Sequence, residues 1–362
     1  MQWSGPRKTP LNNYWDVAVV GAGLAGISCA DSLRRNGYRV VVLEKSRGLG
    51  GRLATRRVHS IPVDHGCRFL QPITPQLKDL IAAMEIQGVL AAWTPKVFQM
   101  CGDGTLRQSK LEAPLFVAPL GMTAVVKQLA QDLCIHRETR VVALRSEHRT
   151  WHMLTTSSRG QSEISALCVV LALPAPQIVN LLQSSETPHE QPLHLQTVNY
   201  SPCIAVMAGF RDDQAVGPTE NESGWMIWGE QHSPLIWMGL DSGKPGRRGQ
   251  TVVLHSNQEF AQAFLETDDL TEAANELLQS ASPFLGRLAQ PRWWQAHRWR
   301  YSTVNQPLEK RNLSDYTTPE CQIKADAPLF CCGDWHRGGG TGAALTSGTE
   351  VAGAVNAYLS SY

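Results

Sequence analysis

The stretch from Trp15 to Arg57, WDVAVVGAGLAGISCADSLRRNGYRVVVLEKSRGLGGRLATRR, constrains the fold more than any other part of the chain. The β-branched residues Val17, Val19 and Val20 lead into Gly21-Ala22-Gly23-Leu24-Ala25-Gly26. A helical pattern follows, with Leu24, Ile27, Cys29, Ala30 and Leu33 on one side and Asp31, Arg34 and Arg35 on the other; Asn36-Gly37 stops it. A second β-branched run, Val40 to Leu43, ends in Glu44. This spacing holds a dinucleotide. Gly21 allows the tight strand-to-helix turn, Gly23 lets the backbone approach a pyrophosphate, and Gly26 lets the helix pack on the strand. The helix N-terminus, at Leu24 and Ala25, offers unpaired N–H groups and positive partial charge to the phosphates. Glu44, 23 residues after Gly21, is placed to accept bonds from ribose hydroxyls, and Lys45 beside it joins the candidate set. A lone glycine-rich turn would be weak evidence, but here it lies between a strand and a helix, with an acid ending the next strand.

The 362 residues suffice for two domains with well-filled cores. A net charge of +1 leaves no electrostatic footprint for nucleic acid or an anionic membrane. The nine cysteines are scattered, odd in number and without a CxxC, which argues against a disulfide framework or a zinc site and for a reducing compartment. The polar N-terminus, MQWSGPRKTPLNN, has no apolar core like that of a signal peptide, and no apolar run reaches the roughly 18–20 residues that span a bilayer. The expected location is cytoplasmic, and residues 1–14 read as a disordered leader.

Further along, residues 74–92 carry helical spacing, and Gly102 to Thr105 reads as a hairpin turn within alternating short apolar runs. A helix is expected from Leu120 to about Leu133, then strands at Arg140–Leu144, Trp151–Thr156 and Glu163–Leu167. The continuous apolar run Cys168–Leu173, ending at Pro174, suits a strand buried on both faces of a parallel sheet. Residues 188–300 differ in texture, with apolar strands, many tryptophans and one helix expected from Glu259 to Leu278. Leu329 to Asp334 reads as another buried strand, followed by a glycine loop and a helix from about Gly342 to Leu359. These readings divide the chain into a discontinuous cofactor domain (15–73, 119–187 and 301–362) and a substrate domain (74–118 and 188–300).

Two further motifs carry chemistry. Arg47-Gly48-Leu49-Gly50-Gly51-Arg52 directly follows Glu44, and Thr55-Arg56-Arg57 comes soon after. Paired glycines let the backbone wrap a phosphate or ribityl chain, and the arginines offer forked donors to a pyrophosphate. For Arg56 or Arg57 the alternative is an ion pair with a carboxylate such as Asp64. Gly333-Asp334 ends the late buried strand, where Asp334 accepts from a sugar or ribityl hydroxyl or serves as a helix cap. The helix N-terminus at Gly342, Ala343 and Ala344 points into the same region and would stabilise a reduced, negatively charged flavin. A long, buried FAD that needs a closing element far along the chain suits this arrangement better than NAD.

Together the three motifs resemble the FAD-binding amine oxidase superfamily. The strings EKSRGLGGRLATRR, VDHG, KPGRRG, VVLHS and HRWRYS resemble its renalase-like branch, with bacterial and plant relatives. The resemblance spans roughly residues 15–359. It implies an α/β fold with a Rossmann-like FAD-binding domain (p-hydroxybenzoate hydroxylase-like, GR2-type) and an inserted mixed-sheet substrate domain. It implies FAD contacts at Thr55, Arg56, Asp64, His65 and Gly66, an adenine contact at Val141 or Val142, and Ala172 and Pro174 flanking the cofactor. The sequence departs from relatives with a Val-Glu-Gly-Ala-like string, reading Gly340-Thr341-Gly342-Ala343 instead, so the flavin pyrimidine contact is expected from backbone alone. The Gly-Cys-Tyr-like string of covalent flavoproteins is missing, so the flavin is expected to be non-covalent.

The resemblance implies hydride transfer from a small-molecule substrate to flavin N5, with O₂ reoxidation to H₂O₂. In the renalase-like branch the substrates are 2- or 6-dihydro forms of NAD(P). An amine oxidase or desaturase acting on another small molecule, and a non-catalytic flavin-binding sensor or scaffold, are the alternatives. His255 and Trp299 are the candidate catalytic residues, His255 against a structural role at a strand end and Trp299 against a core role. Lys244 and Arg247 read as an exposed hairpin tip, or alternatively as contacts for an anionic substrate. No metal ligand set is expected.

Overall fold

The computed structural model describes residues 14–185, 193–214, 216–218, 224–230, 232–286, 290–308, 322–323, 325 and 327–361. The expected leader lies outside the described residues except for Tyr14, which is not leader but the first residue of a strand. The chain forms two compact units. The first takes the residues through Gly51, then Val126–Asn199, then Val304 onward; the second takes Arg52–Val125 and Tyr200–Thr303. Residues 193–199, expected in the substrate domain, belong with the first unit, and residues 52–73, 119–125 and 301–303, expected in the cofactor domain, belong with the second. For residues 52–73 and 119–125 the reason is a set of buried ion pairs, described below, that ties Asp64 to residues 241–247.

In the first unit, strands Tyr14–Val20 and Val40–Leu43 pair in parallel, joined by the helix Leu24–Arg35. Cys134–His136 extends the parallel set beyond Val40–Leu43. On the other side lies the long strand Gly160–Leu171. Its first half pairs antiparallel with Thr150–Ser157, and its last residues pair in parallel with Leu329–Cys331. The sheet is thus mixed, with a parallel centre. Val17, Ala18, Val19, Val169, Val170 and Leu171 are fully buried there, as a β-branched run covered on both faces requires. The final helix, Gly340–Ser360, lies so close to the first that a Cβ at Gly348 would meet the Ala25 carbonyl oxygen at 2.3 Å.

The second unit is built on a seven-stranded sheet. The helix Thr271–Leu285 sets Ala273, Ala274, Leu277, Ala281 and Leu285 into one core with Ile204, Val206, Ile227, Val252 and Leu254 of the sheet. The single helix expected at 259–278 is instead two, Gln258–Ala263 and Thr271–Leu285. The break has identifiable causes. The Asp269 carboxylate accepts from Thr271 N at 3.0 Å and starts the second helix, while the Arg298 guanidinium donates to the Phe264 and Thr267 carbonyls beyond the first. The helix expected from Leu120 runs only over Thr123–Leu129. Before it, Gly121 holds a positive φ of 101° and Met122 N donates to Asp64 Oδ1 at 2.9 Å. The hairpin read at Gly102–Thr105 joins Lys96–Met100 to Leu106–Ser109.

Gly348→Ala tests the helix–helix approach in the first unit. The added methyl must displace backbone, so the expected loss is about 1–3 kcal/mol of unfolding free energy, read from the urea midpoint.

Candidate functional site

In the first unit the turn after the first strand is shaped by close backbone approach. Gly21 has φ of 107°, and a Cβ there would meet the Ala172 carbonyl oxygen at 2.4 Å. A Cβ at Gly26 would lie 2.1 Å from the Gly21 oxygen and 2.8 Å from the Ala172 side chain. Gly23, by contrast, faces open space, and it precedes the helix without any side-chain cap. The glycine doublet folds onto this loop: Gly50 N donates to Ala22 O at 2.8 Å, Gly23 and Gly50 form an isolated parallel bridge, and Gly51 approaches the Gly23 Cα. Glu44 holds the loop in place through both oxygens, with Oε2 accepting from Ala22 N and Oε1 from Ser46 N, each at 2.8 Å. Each oxygen retains a further lone pair for a hydroxyl. Leu24 and Ala25, in the first helical turn, are buried, and Lys45 is exposed. The result is a backbone cradle with uncapped N–H groups at a helix N-terminus, which fits a dinucleotide pyrophosphate.

Two other elements of this unit carry predicted contacts. In the strand Arg140–Glu147 the register skips Val142 between Val141 and Ala143, so the ladder leaves Val142 backbone groups for another partner. Pro174 precedes the helix Ala175–Gln183, and Ala172 N donates to Val20 O at 2.8 Å. Asp334 is buried, and it begins a short 3₁₀ turn after the strand, which ends at Cys331. Its Oδ2 accepts from Gly340 N at 3.3 Å and its carbonyl from Gly339 N, so it organises the start of the final helix. That start is Gly340, two residues earlier than expected, and Gly342 and Ala343 are buried in its first turn with Ala344 half-buried. Gly333 N donates to Ser347 Oγ at 3.1 Å.

The second unit holds its predicted residues in a charge network. Asp64 is fully buried. It accepts from Thr55 Oγ1 at 2.6 Å and from Lys244 Nζ at 2.8 Å, and it pairs with Arg247. Asp241 closes the set by pairing with both cations. Burial alone would raise the Asp64 pKa, but Lys244 and Arg247 outweigh it and hold the value down to about 2. Asp64 and Thr55 thus spend their side chains on protein partners. Lys244 and Arg247 form no exposed tip: the Lys244 side chain is 1% exposed and that of Arg247 0%. Nor do Arg56 or Arg57 supply the Asp64 counter-charge; Arg56 donates to Gln295 Oε1 at 3.1 Å. Arg52 donates to the Ser302 carbonyl at 3.2 Å and lies over the Tyr200 ring.

Directly after Asp64 the chain enters an aromatic and histidine cluster. The His65 ring stacks on Trp299 at 5.4 Å, and His297 meets both rings edge-on. The His65 carbonyl accepts from Trp299 Nε1 at 2.9 Å and from His255 Nε2 at 3.2 Å. The other nitrogen of His255, Nδ1, accepts from Arg68 Nε at 3.0 Å. These partners fix the tautomer with the proton on Nε2. Burial, then Arg68, hold the His255 pKa well below its usual range. Burial, with His297 and Arg56 adding to it, brings His65 to about 3, and burial with Arg56 and Arg298 brings His297 to about 4. All three imidazoles are neutral at pH 7. His255 is thus hydrogen-bonded at both nitrogens, to Arg68 and to the His65 carbonyl. Gly66 lies tight against the Arg52 carbonyl, where a Cβ would approach to 2.1 Å.

The sequence reading missed Arg68 and Asp241. Arg68 stands alone between Cys67 and Phe69-Leu70, and a single cation in an apolar stretch was the available signal. Asp241 lies three residues before Lys244, the spacing of a local ion pair. Among the described residues no cluster of His, Cys, Asp and Glu could hold a metal ion, and no helix is long and apolar enough to cross a membrane.

Asp64→Asn removes one carboxylate from the network and leaves buried positive charge, so a loss of about 3–5 kcal/mol is expected in denaturant unfolding at pH 7. The pH dependence follows from the same groups. His65 and His297 have folded pKa values below the ordinary 6.5, so the unfolded chain takes up protons first. Their stabilisation is complete above about pH 6.5 and falls as pH drops toward 4. Asp64 adds a second loss only below its ordinary value of 3.8, down to about 2. Unfolding free energy should therefore decline between pH 7 and 5, and His297→Gln should flatten that decline; an unchanged slope in the variant would remove His297 from the explanation.

The sequence profile of the NAD(P)-binding Rossmann-like domain matches residues 19–84, and that of the flavin containing amine oxidoreductases matches residues 88–356. A Mycobacterium tuberculosis protein named as a flavin-containing monoamine oxidase, AofH, is 47% identical over 57 residues, which cover 16% of this chain and 13% of that protein. The L-amino-acid oxidase of Echis ocellatus is 46% identical over 54 residues, covering 15% of this chain and 10% of that protein. The solved structure of wild-type putrescine oxidase bound to putrescine superposes with a TM-score of 0.71 at 15% identity, covering 95% of this chain and 99% of that one, a likeness of fold. The expectation of an α/β fold with a Rossmann-like domain holds. With a profile match across most of its length, the chain belongs to the flavin containing amine oxidoreductase family.

Proposed function

We propose that the protein is a non-covalent FAD-dependent oxidase of a small molecule. The observation that carries this reading is the apposition of Gly23, Gly50 and Gly51 beside an uncapped helix N-terminus, with Glu44 pinning the loop. The N–H groups of Leu24, Ala25 and Gly26 would take the pyrophosphate, Glu44 the ribose hydroxyls, and the Val141–Val142 backbone the adenine edge. The start of the final helix, organised by Asp334, would place positive partial charge beside the flavin pyrimidine. Bound FAD supplies two-electron redox chemistry with O₂ as the final acceptor.

The finer reading, a 2- or 6-dihydro isomer of NAD(P) as substrate, draws support from the second unit. Its His65, His297 and Trp299 rings form an aromatic cluster, His65 stacked on Trp299 and His297 edge-on to both, whose imidazoles are neutral at pH 7, suited to packing against an uncharged ring. The neighbouring cation, Arg68, disfavours a protonated amine by like charge. In balance, the substrate gives up a hydride and becomes NAD(P)⁺, while O₂ takes up that hydride and a solvent proton to give H₂O₂.

Glu44→Ala should purify with little flavin absorbance, with FAD affinity at least about tenfold weaker. Retention of FAD at unchanged affinity sinks the ribose assignment. Anaerobic mixing of the yellow protein separates the substrates. Rapid bleaching by 6-dihydro-NAD and not by amines is the expected result. Bleaching by amines alone replaces the dihydronicotinamide reading with amine oxidation, and bleaching by no donor alongside normal photoreduction replaces catalysis with a binding role.

A further inference from the structure

Arg68 differs from the other inward-turned cations of the second unit. Lys244 and Arg247 each pair with two carboxylates, Arg56 donates to Gln295, and Arg298 donates to two backbone carbonyls. Arg68 makes one hydrogen bond, from Nε to His255 Nδ1. Neither of its terminal nitrogens has an acceptor among the described residues, and neither is sealed from solvent. Burial lowers its pKa to about 10, so it stays charged at neutral pH.

The sheet builds a platform for this side chain. Trp228 and Trp237 are directly opposed on neighbouring strands, and Trp237 is directly opposed to His255 on the next. Cross-strand partners share a face, so the three rings form one row. The Arg68 guanidinium lies over that row, 4.7 Å from the Trp237 ring centroid and 5.1 Å from that of Trp228. The His255 ring is fixed at its far side by the His65 carbonyl. Arg68 is therefore held by its Nε and its face, which leaves the two-pronged end preorganised. A second donor in the row, Trp237 Nε1, is buried and also without an acceptor among the described residues. A donor-rich, partly desolvated site of this kind is costly unless acceptor oxygens complete it.

We propose that Arg68 is a recognition site for an anionic oxygen group, carboxylate or phosphate, on the substrate of this enzyme. The anion site stands on the Arg68 geometry; only its assignment to the substrate rests on the oxidase reading. A guanidinium fork meets two oxygens of either group at once, which a lysine cannot do.

Calorimetric titration of the full-length protein as purified tests this with two matched pairs of probes. Nicotinate against nicotinamide isolates a carboxylate, and nicotinamide mononucleotide against nicotinamide riboside isolates a phosphate. In at least one pair the anionic member should bind about tenfold tighter or more, and Arg68→Met should abolish the preference. Which pair responds identifies the source of the anion. Arg68→Lys, which keeps the charge without the fork, should retain only part of the preference and serves if the methionine variant does not fold. Lack of preference in both wild-type pairs overturns the proposal, as does a preference that survives Arg68→Met. Flavin absorbance of the wild-type protein is read separately, so a colourless protein removes the oxidase reading without touching the probe titrations.

Discussion

The buried Asp64 carboxylate is the interaction on which the second unit depends. It sits at the end of the strand Ile61–Asp64, and four groups converge on its oxygens: the Thr55 hydroxyl, the Met122 N–H, Lys244 and Arg247. They come from three separated stretches of chain. Leaving any of these charges uncompensated inside the unit would cost several kcal/mol, so the three stretches are held together or all fail together. Such a network need not stabilise more than an apolar core would. What it supplies is a specific arrangement, in which residues 241–247 dock on Asp64 so that each carboxylate meets both cations.

That anchoring matters because of what comes next in the chain. His65 follows Asp64 immediately, and its carbonyl gathers Trp299 and His255. Arg68 lies four residues from Asp64 and is tied back to His255. The segment Asp64–Arg68 therefore converts a rigid ion-pair network into fixed positions for an aromatic surface and one cation. The first unit achieves comparable rigidity by different means. There the cradle is set by steric closeness, with Gly21 and Gly26 admitting backbone where no side chain fits, and by one carboxylate, Glu44, bonded to two backbone N–H groups.

The contrast explains what could be read from the sequence. The Gly21–Gly26 turn and Glu44 were legible because strand, turn, helix and acid lie within about thirty residues, the length of a βαβ unit. The buried strand through Val170 was legible because burial on both faces removes polar alternation. Lys244 and Arg247 were misread because a Lys-Pro-Gly-Arg string looks like any charged turn, and their partner Asp64 is 180 residues away from Lys244. The helix expected at 259–278 failed for a related reason: the carbonyls at its break are satisfied by Arg298, some thirty residues later. Arg68 left no periodic signal, since its role comes from a row of rings assembled across three strands.

Electrostatics then sets the character of the candidate substrate surface. Asp64 and Asp241 cancel Lys244 and Arg247, so this cluster contributes little net field despite holding four charges. His65, His255 and His297 are kept neutral, chiefly by burial. Against this compensated background a single guanidinium without a carboxylate partner carries more weight than its one charge would in water, because partial burial weakens screening. A family fold that leaves the choice of substrate open can in this way be biased against cations by one arginine and the imidazole that holds it. His255 links the two parts of that surface, accepting from Arg68 at Nδ1 while its Nε2 donates to the His65 carbonyl.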